Sequence, residues 1–359
     1  MKILQLIPQL SSGGAERFVV DISNELSKSH DVSLVLSYAL EGESAFYLPE
    51  LAESVKVYSL RKKLGFDFAY LYRLYKTIKN ISPDVVHTHL DACSHFALLK
   101  WLFPRVKFVH TVHNDAPFES GGRIKAFLKK SFFIKGWCKA ATISKTSDDS
   151  FKEFYGSNVP STLIYNGRAM EIEWAENDII PRVDGHYNLV SIGHISPTKN
   201  HMLMCSAVDN LTKKGAPIEL YMFGRFADES IVERIKALNN PHIHMLGEVE
   251  NPRQYLRNAD VFCMSSVVEG MPISLIEALS CGLIPVCTAV GGIVDMVDEG
   301  RSGFLSNDLA LESYTSALER FLALTTDEVE AMKSVCRESA KMYSIEECAK
   351  QYEELFAEQ

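Results

Sequence analysis

Asp260-Val-Phe-Cys-Met-Ser-Ser266 runs almost directly into Glu269-Gly-Met-Pro-Ile-Ser-Leu-Ile-Glu277. The first segment is an apolar run of strand length, and the second is a Gly-Pro loop that passes into a helical pattern. Together they read as a buried strand, a loop at its carboxyl end and a helix. Ligands of open α/β sheets bind at that end of the strands. Glu269 stands on the loop and Glu277 on the helix it opens. Backbone N–H groups of Gly270, Met271 and Ile273 lie at the helix N-terminus, where hydroxyls or phosphate are favoured, and Pro272 suits a first turn. If every intervening residue were helical, a rise of ~1.5 Å per residue would set the two glutamate backbones ~12 Å apart. Hydrolase carboxylate pairs face each other at ~5–9.5 Å, so this spacing suits two points along an extended ligand. An ordinary turn with two surface glutamates has the same spacing.

The rest of the chain repeats this unit. Apolar runs at 2–7, 31–37, 55–60, 84–88, 107–112, 139–143 and 161–165 read as strands, and a second series follows at 188–193, 218–223, 243–247, 260–265 and 283–288. Strands alternating with helical stretches predict parallel sheets, and two series predict two doubly wound α/β domains. At 359 residues the chain exceeds the size at which one core usually divides. Tyr165-Asn-Gly167 and the acidic, irregular stretch 171–186 mark the boundary, and Tyr343-Ser344 opens a last helix over Ile345–Ala357. The expected division is 1–168, 169–342 and 343–359.

The Glu269–Glu277 segment resembles the Glu-x7-Glu motif of retaining glycosyltransferases of family 4. Its continuation through Gly282, Pro285-Val286 and Val290-Gly-Gly292 follows the same pattern. This resemblance implies the GT-B fold, two Rossmann-like domains whose parallel sheets face each other across a cleft, with the last helix returning to the first domain. It implies that Glu269 contacts the donor sugar and Glu277 the ribose of a nucleotide. The N-terminal domain would take the acceptor and the C-terminal domain the nucleotide sugar.

Three further segments carry the resemblance. Ser11-Ser-Gly-Gly14-Ala-Glu-Arg17 follows the first strand. By itself it is a weak phosphate signal, with neither Gly-x-Gly-x-x-Gly nor a Walker lysine, but its wording is typical of family 4, which implies a donor contact at Gly14. His87-Thr-His89 and His110-Thr-Val-His113 end two strands. Alternate strand residues share a face that zinc could use, yet no Cys or carboxylate joins them at ligand spacing, and satisfied core histidines are the plainer reading. The resemblance implies that His113 reaches a donor hydroxyl. Finally, His194-Ile-Ser-Pro-Thr-Lys199 follows a strand where the family has Arg and Lys clamping the pyrophosphate. Lys199 matches; His194 departs from the pattern. A guanidinium is bidentate and always charged, whereas His titrates near pH 6.5, so Lys199 is expected to carry most of the charge. Arg225, just beyond strand 218–223, could supply the missing guanidinium or be an ordinary exposed Arg.

Charge is unevenly distributed. Residues 1–170 hold 22 Lys and Arg against 16 Asp and Glu, and the remainder 15 against 30, within a total of −9. A basic N-terminal half points to a negatively charged partner. Its densest stretch contains Arg123, Lys125, Lys129, Lys130, Lys135 and Lys139 with Trp137 and several Phe, and no acidic residue. Such a segment can dock on an anionic membrane, or it can be a core-packed helix with solvated lysines. Arg61-Lys-Lys63 before Leu64-Gly-Phe-Asp-Phe68 is a weaker patch. No apolar run is long enough to span a bilayer, the start lacks a signal-peptide pattern, and the eight scattered cysteines suit a reducing compartment. The expected location is cytoplasmic, with peripheral association at the inner face of the membrane.

The expected activity is retaining, metal-independent transfer of a hexosyl or N-acetylhexosaminyl group, UDP being the nucleotide the resemblance favours. The acceptor would be a glycan or a lipid-linked acceptor of bacterial surface polysaccharide, and neither a cofactor nor a nucleic acid is called for. No Asp-x-Asp motif is well placed, so Lys199, His194 and backbone N–H groups are left to stabilise the departing diphosphate. A catalytically silent GT-B binding subunit and a sugar-nucleotide epimerase remain alternatives, and His194 is the best support for the silent one.

Overall fold

The computed structural model describes residues 1–358 apart from 64, 66, 93–99 and 250, and the side chains of Glu43 and Ile124 also lie outside the description. Part of the Leu64–Phe68 patch therefore falls outside it, as does Cys93. The other seven cysteines are free thiols. The chain separates into two compact units, Met1–Ala169 with Tyr343–Gln359, and Met170–Met342.

The first unit is built on a seven-stranded sheet of order β3-β2-β1-β4-β5-β6-β7. Its strands are β1 (Lys2–Ile7), β2 (Asp31–Leu36), β3 (Lys56–Ser59), β4 (Val85–His89), β5 (Lys107–Val112), β6 (Lys139–Thr142) and β7 (Ser161–Leu163). Every pairing is parallel. Helices α1 (Gly14–Ser27), α2 (Phe68–Ile81), α3 (Ala116–Glu119), α4 (Arg123–Ile134) and α5 (Lys145–Tyr155) occupy the connections. All five residues of β4 are buried, as expected of a parallel strand covered on both faces. Phe133, Phe151 and Tyr155 knit helices α4 and α5 together, with ring centroids 4.9–5.3 Å apart. Truncating such a buried aromatic to Ala costs about 3–5 kcal/mol.

The second unit has a six-stranded parallel sheet of order β10-β9-β8-β11-β12-β13. Its strands are β8 (Tyr187–Ile192), β9 (Ile218–Phe223), β10 (Ile243–Gly247), β11 (Val261–Met264), β12 (Ile284–Thr288) and β13 (Phe304–Ser306). The helices are α6 (His201–Lys213), α7 (Glu229–Lys236), α8 (Ile273–Cys281), α9 (Ile293–Met296), α10 (Leu311–Leu322) and α11 (Thr326–Ala340). A capping box opens α11, Thr325 and Glu328 each satisfying the other's backbone N–H. Strand β13 was not expected. Its three residues are too few to show a period, and tertiary pairing with β12 makes the strand.

The last helix, α12 (Ile345–Ala357), belongs to the first unit. Ser344 caps it, accepting from Glu347 N. Arg168 N donates to Tyr343 O, and Ile345 N donates back to Arg168 O, at 2.9 and 3.0 Å. A Cβ on Gly167 would lie 2.6 Å from Cys348 Cβ, so only glycine lets this segment approach the helix. Among the described residues no helix is long and apolar enough to cross a membrane.

Candidate active site

Strand order in the second unit reverses between β8 and β11, and ligands of doubly wound sheets gather outside the carboxyl ends of strands at such a point. The loops leaving these two strands carry His194 and Lys199, and Ser265 to Pro272. Glycines allow the first loop to turn. Gly224 has φ +142°, and a Cβ on it would lie 2.1 Å from the Gly193 carbonyl. Ile195 N donates to Arg225 O at 2.9 Å, which sets exposed Arg225 alongside the His194 loop.

Lys199 lies against Gly193 and reaches across to the second loop, its Nζ donating to Glu269 Oε1 at 2.6 Å. Ser266 Oγ donates to the same oxygen at 2.6 Å, and Thr288 Oγ1 holds the Ser266 carbonyl at 2.7 Å. Val267 N donates to Thr198 O, and Ser265 Oγ to Asn200 O, so the two loops are stitched together by backbone as well as side chains. Gly292 N donates to Gly270 O at 2.6 Å. A Cβ on Gly291 would stand 1.7 Å from the Glu269 carbonyl, at φ +52°. The Val290-Gly-Gly292 turn is therefore the wall that holds Glu269 in place.

Gly270, Met271, Pro272 and Ile273 are buried, and no side chain caps the α8 N-terminus. That end of the helix carries a partial positive charge. Glu277, one turn on, is 7% exposed. The sequence reading missed His201, the first residue of α6. It is 3% exposed, and burial, reinforced by the charges of Lys199 and His194, pushes its pKa down to about 4. It also missed Ser266, Thr288 and the role of Gly291, the last two because their partners lie 22 residues away in sequence.

In the first unit the loop after β1 begins α1 at exposed Gly14. Glu16 folds back across it, so that a Cβ on Gly13 would meet Glu16 Oε2 at 2.2 Å, and Ser11 Oγ donates to Glu16 Oε1 at 2.7 Å. The four strand histidines are buried and hydrogen-bonded. His87 Nε2 meets Thr111 Oγ1 at 2.7 Å, and that hydroxyl meets Tyr352 OH at 2.7 Å. His110 Nε2 lies 3.1 Å from Glu119 Oε1, while Glu119 Oε2 accepts from the backbone of His113 and Asn114. His113 Nε2 stands 3.0 Å from His89 Nδ1, and His89 Nε2 stands 2.9 Å from Gln5 Oε1. Because the Gln5 oxygen accepts from His89 Nε2, His89 Nδ1 accepts from His113 Nε2. His113 Nδ1 is then a bare acceptor. Burial above all pushes the His113 pKa down to about 4, so the ring is neutral and suited to receive a hydroxyl proton rather than bind a phosphate.

The basic segment forms α4 and the turn after it. Arg123 and Lys135 are exposed, Lys125 and Lys130 half-buried, and Lys135 lies over the Trp137 ring. Phe127 and Ile134 are also exposed, at 70% and 50%. Lys129 corrects the expectation. It is 3% exposed and donates to the Glu119 carbonyl at 3.0 Å, so it offers no charge to a surface. Lys125 is paired with Asp91 at 2.7 Å.

Two parallel, doubly wound α/β units are the architecture of the GT-B class. The chain belongs to glycosyltransferase family 4, and it is a glycosyltransferase: the family described as Glycosyltransferase Family 4 matches residues 12–171, and the one described as Glycosyl transferases group 1 matches residues 173–341. It is 27% identical over 318 residues, 85% of this chain and 84% of the other, to an α-1,4-N-acetyl-D-galactosaminyltransferase of Campylobacter jejuni named for an undecaprenol-diphosphate-linked glycan. It is 26% identical over 363 residues, 93% of this chain and 90% of the other, to the UDP-Gal:α-D-GlcNAc-diphosphoundecaprenol α-1,3-galactosyltransferase of Escherichia coli. Among solved structures, Anabaena HepE in complex with UDP-glucose superimposes with a TM-score of 0.82 at 17% identity, covering 99% of both chains.

Proposed function

We propose that this chain transfers a hexosyl or N-acetylhexosaminyl group, with retention and without a metal, from a UDP-sugar to a lipid-linked glycan of a bacterial surface polysaccharide. The observation that carries this reading is the Lys199–Glu269 pair at the switch point. An incoming diphosphate competes with Glu269 for the Lys199 ammonium, and the released carboxylate becomes free to accept sugar hydroxyls. Lys199, His194, Arg225 and the α8 N-terminus then meet the charge that builds on the leaving phosphate. Glu277 takes the ribose, and Gly270 to Ile273 line the donor. In the first unit, Gly14 and His113 are the candidate ligand contacts, for a phosphate and a hydroxyl respectively. Support for the donor and acceptor comes from relatives named for UDP-galactose and undecaprenol-diphosphate-linked glycans, and from the UDP-glucose complex of the HepE structure. The exposed basic and aromatic residues of the α4 segment suit docking on an anionic inner-leaflet surface, where such an acceptor lies.

The test is incubation with UDP-sugars and an undecaprenyl-diphosphate-linked acceptor, with and without EDTA. The expected result is acceptor-dependent release of UDP, undiminished by EDTA, and a product whose anomeric configuration by NMR matches that of the donor. No nucleoside diphosphate from any donor would identify a silent binding subunit. An epimerised sugar nucleotide formed without acceptor would identify an epimerase.

A further inference from the structure

We propose that the amino-terminal rim of the second sheet carries a site for a divalent cation of the zinc class, built from His186, Glu219 and His242. His186 immediately precedes β8, Glu219 is the second residue of β9, and His242 immediately precedes β10. The order β10-β9-β8 sets these three positions side by side.

Two imidazoles converge on one carboxylate oxygen. His242 Nδ1 is 2.8 Å and His186 Nδ1 3.3 Å from Glu219 Oε1, and the three atoms all lie within 4.8 Å of one another. Ligands ~2.0–2.1 Å from a tetrahedral zinc stand ~3.3 Å apart, so a modest closing of the rings completes three corners of a tetrahedron. The bond pattern without a cation is incomplete. His186 Nδ1 is buried, yet it has no hydrogen-bond partner among the described residues, because its approach to Oε1 lacks hydrogen-bond geometry. A buried ring nitrogen aimed at a carboxylate oxygen it does not bond is the arrangement a shared cation resolves.

The surroundings fit a ligand set. Glu219 is 8% exposed, and His244 Nε2 holds its second oxygen at 2.9 Å while stacking on Tyr221. Outer-shell partners of this kind orient a ligating carboxylate. Nitrogen donors with one carboxylate and no thiolate select zinc, nickel, cobalt or copper over magnesium and calcium. The side chains of His186 and His242 are 30% and 36% exposed, leaving an entry path and room for water as a fourth ligand. Because the strands are parallel, this rim is the opposite end of the sheet from Lys199 and Glu269. The cation therefore clamps three strands at their start and is separate from the transfer chemistry.

The test is calorimetric titration of the EDTA-dialysed, tag-free chain with Zn2+, alongside visible spectra with Co2+. The expected result is one saturable Zn2+ equivalent and the intense ligand-field bands of four-coordinate cobalt. His186→Ala and His242→Ala should each weaken binding, and the double variant should abolish it. His244→Ala should cost about tenfold through its outer-shell role. Both ligand histidines are part-exposed, and far-UV circular dichroism checks that the variants stay folded. Absence of saturable binding, or equal binding by the folded double variant, would overturn the proposal.

Discussion

Lys199 Nζ donates to Glu269 Oε1 across 2.6 Å, joining the loops after β8 and β11, residues 70 apart in sequence. On the proposed assignment, the residue for the phosphates and the residue for the sugar touch, so binding at one would be coupled to release at the other. Lys199 is the more accessible partner, at 29% side-chain exposure against 9% for buried Glu269.

This contact sets the first prediction. Lys199→Ala should weaken UDP affinity by about 10- to 100-fold, since a hydrogen bond from a charged group contributes about 1.5–3 kcal/mol. Glu269→Gln should leave UDP affinity close to wild type and lower kcat/KM with the sugar nucleotide. Calorimetry and initial rates separate the two. Unaltered UDP affinity in Lys199→Ala would remove the lysine from the phosphate site.

Gly291 bears on the same carboxylate. Gly291→Ala places a Cβ 1.7 Å from the Glu269 carbonyl at φ +52°, so the loop must shift. We expect a loss of about 1–3 kcal/mol of stability from strain at this position, together with a fall in kcat. A variant with normal Tm and normal turnover would show that the turn is not the wall described above.

The buried chain Gln5–His89–His113 fixes a tautomer. Long-range nitrogen correlation spectra should find the His113 proton on Nε2. Gln5→Leu should cost about 1–3 kcal/mol by leaving His89 Nε2 without its acceptor. If the spectra instead place the His113 proton on Nδ1, the ring donates rather than accepts, and its assigned task reverses.

Acid stability follows from the same burial. Burial pushes the pKa values of His113 and His201 down to about 4 from the ordinary 6.5, so below pH 6.5 the unfolded chain takes up protons that the folded one refuses. Their stabilisation is complete above pH 6.5 and is lost as pH falls toward 4. At pH 5 each removes on the order of 2 kcal/mol. Urea midpoints at pH 7 and pH 5 test this, and His201→Asn should shrink the difference. A midpoint that rises on acidification would contradict the assignment.

Charge reversal separates surface from core in the α4 segment. Arg123→Glu with Lys135→Glu should reduce flotation with anionic liposomes and leave Tm within a few degrees, as exposed substitutions usually do. Lys129→Glu should lower Tm sharply, because it replaces the donor to the Glu119 carbonyl with a buried carboxylate that can only accept. Equal recovery of wild type with neutral and anionic vesicles would count against electrostatic docking.

Much of the architecture was legible because parallel strands covered on both faces must be apolar throughout. The run Val-Phe-Cys-Met at β11 announces itself without context. Strand β13 did not, since three residues carry no period. The histidines of β4 and β5 were visible as a cluster, but their hydrogen-bond order, and the arrival of Glu119 from α3, depend on strands and a helix meeting in space. Lys129 looked like one more lysine of a basic run. Helical phase within α4 and the position of the Glu119 carbonyl turned it inward.

The sequence by itself determined the alternation of elements, the Glu269–Glu277 spacing and the departure at His194, because these are local: they rest on periodicity, loop chemistry and motif. Only the tertiary structure decided that Lys199 pairs with Glu269, that Gly291 braces it, and that His186, Glu219 and His242 share one oxygen. Those contacts join residues on or beside different strands, and which strands become neighbours is set by sheet order, a property of the whole fold that no single segment encodes.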